Sequence, residues 1–303
     1  ILTPDDSRYP RTLYQLRDAP VVLYCVGTLP DFESNCCCAV VGTRTMSDYG
    51  KQMAYDIGRG LGAGGAVLVS GLALGVDGMA MAGALSAGGV TVGVLGCGID
   101  IVYPPEHKDL MQRVLQKGAV ITEYPPGTPP NGYHFPKRNR IISGLSCGVL
   151  VVEAPEKSGA LITARLAADQ GRDVFVVPGN IDVPSCAGSN ALLRDGAIMV
   201  SSGWDVLSEY EHLYPGKIRR DASPSRLTVY PDELAQAARE EHRGVKVAQK
   251  PRLPGKVEGD QPETDKIFIL PQQTVISRRH SLRSGLTVAQ VQLLQPVTLT
   301  GIQ

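Results

Sequence analysis

The chain has 303 residues, 43% of them hydrophobic, which is enough to bury one large core or two smaller ones. Its 30 Lys and Arg balance 30 Asp and Glu, so no global field draws it to nucleic acid or an anionic membrane, and any polyanion binding has to be local. Seven Cys, with Cys36, Cys37 and Cys38 contiguous in an apolar run, make a poor disulfide framework and point to a reducing cytoplasm; no run of about 18 apolar residues suggests a membrane span. The sequence opens on Ile1 and not Met, and an upstream segment is expected.

With 34 Gly, 22 Pro and 5% aromatic residues, the composition suits many strand-to-helix turns. In chain order, strands are expected at Val21 to Val26, Cys37 to Val41, Ala66 to Val69, Val90 to Leu95, Ala119 to Ile121, Gly148 to Val152 and Val174 to Val177. Most are apolar throughout, as strands covered on both faces should be. Between them, Met53, Ile57 and Leu61 recur at helical spacing, and Val76, Met79, Ala80, Gly83, Ala84 and Ala87 form a stripe of mostly small residues that lets a helix sit close to the sheet. This alternation predicts an α/β domain over residues 1–220, a doubly wound, mainly parallel sheet. From 221 to 303 polar residues, Pro and charges dominate, which predicts a poorly structured tail; Leu286, Val288, Val291, Leu293 and Leu294 suggest one short helix within it.

In open parallel sheets the ligand crevice lies beyond the carboxyl ends of the strands, where helix N-termini present free N–H groups. Four such ends carry small residues: Gly42-Thr43-Arg44, Ser70-Gly71, Gly96-Cys97-Gly98 and, after Glu153, Ser158-Gly159-Ala160. Glycines let a backbone approach a phosphate, hydroxyls donate to it, and a guanidinium such as Arg44 grips it in two places. Parallel strands need glycine turns in any case, but four together with Arg44 favour a phosphate chain.

The run Phe135-Pro136-Lys137-Arg138-Asn139-Arg140 follows a Pro- and Gly-rich stretch from Pro125 to Gly132 and leads into Ile141, Ile142 and Leu145 at helical spacing. It is predicted to be a basic loop at a helix start. Its three cations would neutralise two or three phosphates, while Phe135 or Tyr133 offers a face to a base. A solvated basic turn is the plainer alternative; the neighbouring strand ends argue against it.

Other chemistries lack their motifs. No strand exit carries Gly-x-Gly-x-x-Gly, and no Gly-Lys-Ser/Thr, no Cys-x-x-Cys and no paired His occur, so no nucleotide cofactor, NTPase site or metal is expected. Asp77 is read as a helix-dipole partner, Glu153 as either structural or catalytic, and His134 as a satisfied polar residue.

Val41-Gly42-Thr43-Arg44, the run from Ser70 to Asp77 and the run from Phe135 to Ser146 resemble, in order, motifs of the DNA-processing protein A family (DprA, or Smf). Ser158 to Ala164, Gln170-Gly171-Arg172, Val177 to Asn180, Gly188-Ser189-Asn190 and Asp195-Gly196-Ala197 continue it, so that the resemblance covers about residues 8–213. It implies an extended Rossmann fold, single-stranded DNA binding without base specificity, a homodimer, and loading of the RecA recombinase onto incoming DNA in natural transformation, with no catalysis. On matching positions, Arg44 and Phe135 to Arg140 would line the DNA pocket, with Ser70, Gly71, Ser158 and Gly159 nearby. Leu74 stands where the family usually has Arg or Lys, and Thr43 and Ala160 where Ser is common. The segment Gly285 to Leu294 resembles only the opening of the winged helix that ends many members, so this copy is expected to be truncated or short. Two rivals remain: a nucleotide-processing hydrolase of a related fold using Glu153, although only Pro178-Gly179-Asn180 approaches its expected glycine loop, and a protein-interaction scaffold.

Overall fold

The computed structural model describes residues 1–220. The tail and short helix expected over 221–303 lie outside the described residues.

The elements follow as α1 (Arg11–Tyr14), β1 (Tyr24–Gly27), β2 (Cys37–Val41), α2 (Asp48–Ala63), β3 (Val67–Ser70), α3 (Val76–Ser86), β4 (Val90–Val94), α4 (Lys108–Lys117), β5 (Ala119–Thr122), α5 (His134–Gly144), β6 (Gly148–Val151), α6 (Gly159–Asp169), β7 (Asp173–Val176), α7 (Ala187–Arg194), β8 (Ile198–Met199) and α8 (Gly203–Leu207). One eight-stranded sheet runs in the order β1-β5-β4-β3-β2-β6-β7-β8. Every pair is parallel except β1 with β5. The chain is thus a doubly wound α/β fold, as its alternating pattern predicts.

The strands pleat apolar side chains to both faces. On β2, Cys38 and Val40 join Leu68, Leu150 and Val152 in a core covered by α2, α3, α4 and α8. Cys37, Ala39 and Val41 join Val67, Val69, Val149 and Val151 beneath α1, α5, α6 and α7. All five residues of β2 are buried, the reason its pattern is apolar throughout. The edges differ from expectation. The first strand starts at Tyr24, not Val21: its register with β5 runs from Tyr24 to Gly27 and Leu23 bridges instead to Leu2, while Val21 and Val26 are exposed. The two-residue β8, exposed at the opposite edge, is too short to show a period.

Helix α3 is buried from Val76 to Ala84 on all sides, not along one stripe. Its small residues meet α2 as well as the sheet: a Cβ on Gly58 would run into the backbone of Ala80, and one on Gly83 into that of Tyr55.

From β2 the chain steps outward through β3, β4 and β5, then returns through α5 to place β6 on the other side of β2. The winding direction reverses between β2 and β6. Loops leaving neighbouring strands there diverge to opposite faces and leave a crevice.

Candidate nucleic-acid interface

A cleft of about 520 Å³ opens at this reversal. Its walls are the β2 exit (Gly42, Thr43, Arg44), the first turns of α5 (Phe135, Arg138, Asn139) and the entry to α6 (Lys157, Ser158, Gly159).

The β2 exit is fixed from below. Thr43 donates its N–H to the Glu153 carbonyl at 2.7 Å and accepts at its own carbonyl from Val76 N at 3.2 Å, tying β2, β6 and α3 together. Gly75 turns with φ +81°, a left-handed conformation that disfavours a side chain, and a Cβ there would also strike the Thr43 and Arg44 carbonyls. Arg44 is held above this turn, exposed, with its guanidinium 5.2 Å from the centre of the Phe135 ring. Tyr103 stacks on the same ring at 5.3 Å. Among the described residues, no carboxylate is within ion-pair distance of Arg44, Lys137 or Lys157.

The run from Phe135 to Arg140 is not a loop but the first turns of α5, and the helix sends its cations to different places. Lys137 is exposed. Arg138 is 4% exposed and forms part of the cleft floor. Its guanidinium donates to the Gly71 carbonyl at 2.9 Å, to the Val94 carbonyl, and through Nε to Asn139 Oδ1 at 3.3 Å. The carboxylate of Asp77 accepts the Gly71 N–H at 3.0 Å, so the two charges hold opposite ends of one residue, Gly71. Burial pushes Arg138 down to about 10, with Asp77 opposing the shift; burial likewise raises Asp77 against the pull of Arg138. Asp77 is therefore the counter-ion of Arg138 more than a helix-dipole partner. Arg140 leaves the cleft altogether. It grips Glu123 with two bonds of 2.8 Å and reaches Asp18 at 2.9 Å, bracing the N-terminal segment against the end of β5.

Asn139 donates to the Gly159 carbonyl at 3.3 Å and so joins α5 to α6. Ser158 caps α6 by accepting from Ala160 N at 3.2 Å. No atom lies within 4 Å of where a Cβ on Gly159 would stand, which leaves the positive end of α6 open to the cleft. Two expected residues are set back. Ser70 is fully buried and donates to the Val40 carbonyl at 2.7 Å; Gly71 serves Arg138 and Asp77. Leu74, where the resemblance expects a cation, lines a small hollow of about 30 Å³ under Phe135 together with Gly96 and Cys97.

Lys157 and Tyr103 also line the cleft and were not legible in the sequence. Lys157 follows Glu156 in a short loop and reads as ordinary surface charge; Tyr103 lies about 30 residues from its ring partner Phe135. Glu153 is buried away from the cleft, where it accepts from Ser47 N at 3.1 Å and Ser47 Oγ at 2.8 Å and holds the start of α2. His134 is engaged with the Gly96 carbonyl at 3.1 Å and stacked on Tyr124 at 4.1 Å. Among the described residues, no group of three His, Cys, Asp or Glu is arranged to hold a metal, and no helix is long and apolar enough to cross a membrane.

The family model of the DNA recombination-mediator protein A matches residues 1–211. The chain belongs to this family. A protein Smf of Synechocystis is 44% identical over 210 residues, covering 68% of this chain and 53% of that protein, so the chain spans about half of that relative's length. The DNA processing protein A of Streptococcus pneumoniae superposes with a TM-score of 0.66 at 43% identity, covering 69% of this chain and 73% of that one. A DNA processing protein A of Helicobacter pylori, whose structure was described for its mode of binding single-stranded DNA, superposes with a TM-score of 0.62 at 33% identity, covering 68% and 94%. The DprA family therefore supplies both the sequence motifs and the Rossmann-like frame that forms the cleft.

Proposed function

We propose that the chain binds single-stranded DNA without regard to sequence, laying two or three phosphates across Gly42, Thr43 and Arg44, Lys137 and Lys157, and the N-terminus of α6. The observation that carries this reading is the cleft at the β2/β6 reversal: Arg44 and Lys157 face it without carboxylate partners among the described residues, and Asp77, the one acid lining it, faces Arg138. Backbone contacts by cations and helix N–H groups carry no base information, which makes the binding sequence-independent. A flexible single strand enters such a crevice with its bases turned aside, whereas duplex presents two backbones on a stiff rod.

Membership of the recombination-mediator family and the Helicobacter relative's single-strand binding support the wider role. In that role the protein is a cytoplasmic homodimer that protects incoming strands and loads the RecA recombinase onto them during natural transformation, acting by binding and not by catalysis. The engagement of Glu153 with Ser47 weighs against the nucleotide-hydrolase reading.

A gel shift with oligothymidylate and with a duplex of equal length tests the reading. Arg44→Ala and Lys157→Ala should each weaken single-strand binding roughly tenfold and leave the fold intact. Equal affinity for duplex, or no loss in either variant, would place the binding surface elsewhere.

A further inference from the structure

We infer that Tyr133 is a base-stacking platform, an outer shelf at the cleft rim that takes the face of one base; the inference rests on the single-strand reading of the cleft. Tyr133 is 86% exposed, directly after Gly132 and close behind Pro130, both of which line the cleft. An aromatic ring left in water at the mouth of a polyanion cleft is poised to bury its face against a ligand.

Its backbone is held on both sides. The Tyr133 N–H donates to Asn131 Oδ1 at 3.1 Å and the His134 N–H to the Asn131 carbonyl at 2.9 Å. The His134 ring is itself fixed by the Gly96 carbonyl and by Tyr124. Only two side-chain torsions of Tyr133 are left to order when a ligand arrives, so little entropy opposes stacking.

Phe135 is differently placed. Its ring already carries Tyr103 at 5.3 Å and the Arg44 guanidinium at 5.2 Å. A base reaching Phe135 has to move one of these groups, whereas among the described residues no ring or cation covers Tyr133. The two aromatics thus divide the work. Phe135 shapes the inner cleft and supports Arg44, and Tyr133 receives a base at the rim. Because every base has a π-face, the shelf adds affinity without adding sequence preference.

Fluorescence anisotropy on the full chain with labelled oligothymidylate tests this. Tyr133→Ala should lose about 5- to 150-fold in affinity, the range for one stacked base, with an unchanged salt slope, since no cation is removed. Tyr133→Phe and Tyr133→Trp should bind within about twofold of the parent, and Tyr14→Ala, an exposed tyrosine of α1 outside the cleft, should behave as the parent. An oligonucleotide series carrying one abasic position should show a position where the parent loses affinity and Tyr133→Ala loses no more. If the parent binds and Tyr133→Ala stays within twofold of it, or the abasic series penalises both proteins alike at every position, the shelf is overturned while the cleft stands. If the parent binds no single strand, the cleft reading fails and the shelf with it.

Discussion

A helix turns by about 100° per residue, so Arg138 and Arg140 leave α5 about 200° apart. That rotation explains why one becomes cleft floor and the other a brace. Arg140→Ala would strand Glu123 and free the Asp18 segment, a loss of about 3 kcal/mol; for a domain of this size, melting should fall by roughly 6 to 12 °C. Affinity of the folded protein for single strands should stay unchanged, which separates a brace from a phosphate contact. Asp77→Asn keeps an acceptor for the Gly71 N–H but leaves the buried Arg138 charge without its counter-ion. A loss of about 3 kcal/mol is expected in urea unfolding, with weaker binding because the Gly71 turn shifts. A stable Asp77→Asn protein would show that the pair is dispensable. The sequence made the basic cluster legible but not this division, since three cations in four residues look alike until the segment is known to be helical. Lys157 escaped for the opposite reason, being a single charge that only the fold carries to the cleft.

Among the elements, the buried strands were legible because a strand covered on both faces has no polar side to show. At the edges, β1 was legible but its start was not, since it is only half-buried, and β8 was missed because both of its residues are exposed. The pairing of α2 with α3 lies between these cases. Small residues announced a close approach, but not that α3 would be enclosed by a second helix. Gly58→Ala checks that contact. On an open helix the change would gain up to about 1 kcal/mol; here the new Cβ meets the Ala80 carbonyl, and a net loss of about 1 to 3 kcal/mol is expected in thermal melts. An unchanged or higher melting temperature would mean that the two helices can separate without cost.

Across the whole molecule, charge is neutral and the cationic character is local. Binding should therefore respond to salt through the few phosphates neutralised, not through a long-range field. With two or three phosphates held, the slope of log K against log salt should be about −1.4 to −2.1 per protomer; titrations between low and physiological salt check it, and a flat response would rule out phosphate contacts. The doubly wound order was legible from the alternation of strands and helices, but the position of the reversal was not, because it depends on which side of β2 the chain returns to after α5. Arg138 gives that reversal a further property. By bonding the ends of β3 and β4 to α5, it makes the mouth of the cleft a property of the sheet and not of its loops. The cost of ordering then falls on the nucleic acid, and discrimination becomes a matter of how readily a strand gives up its own stacking. A supple pyrimidine tract should settle where a self-stacked purine tract resists, though no base is read.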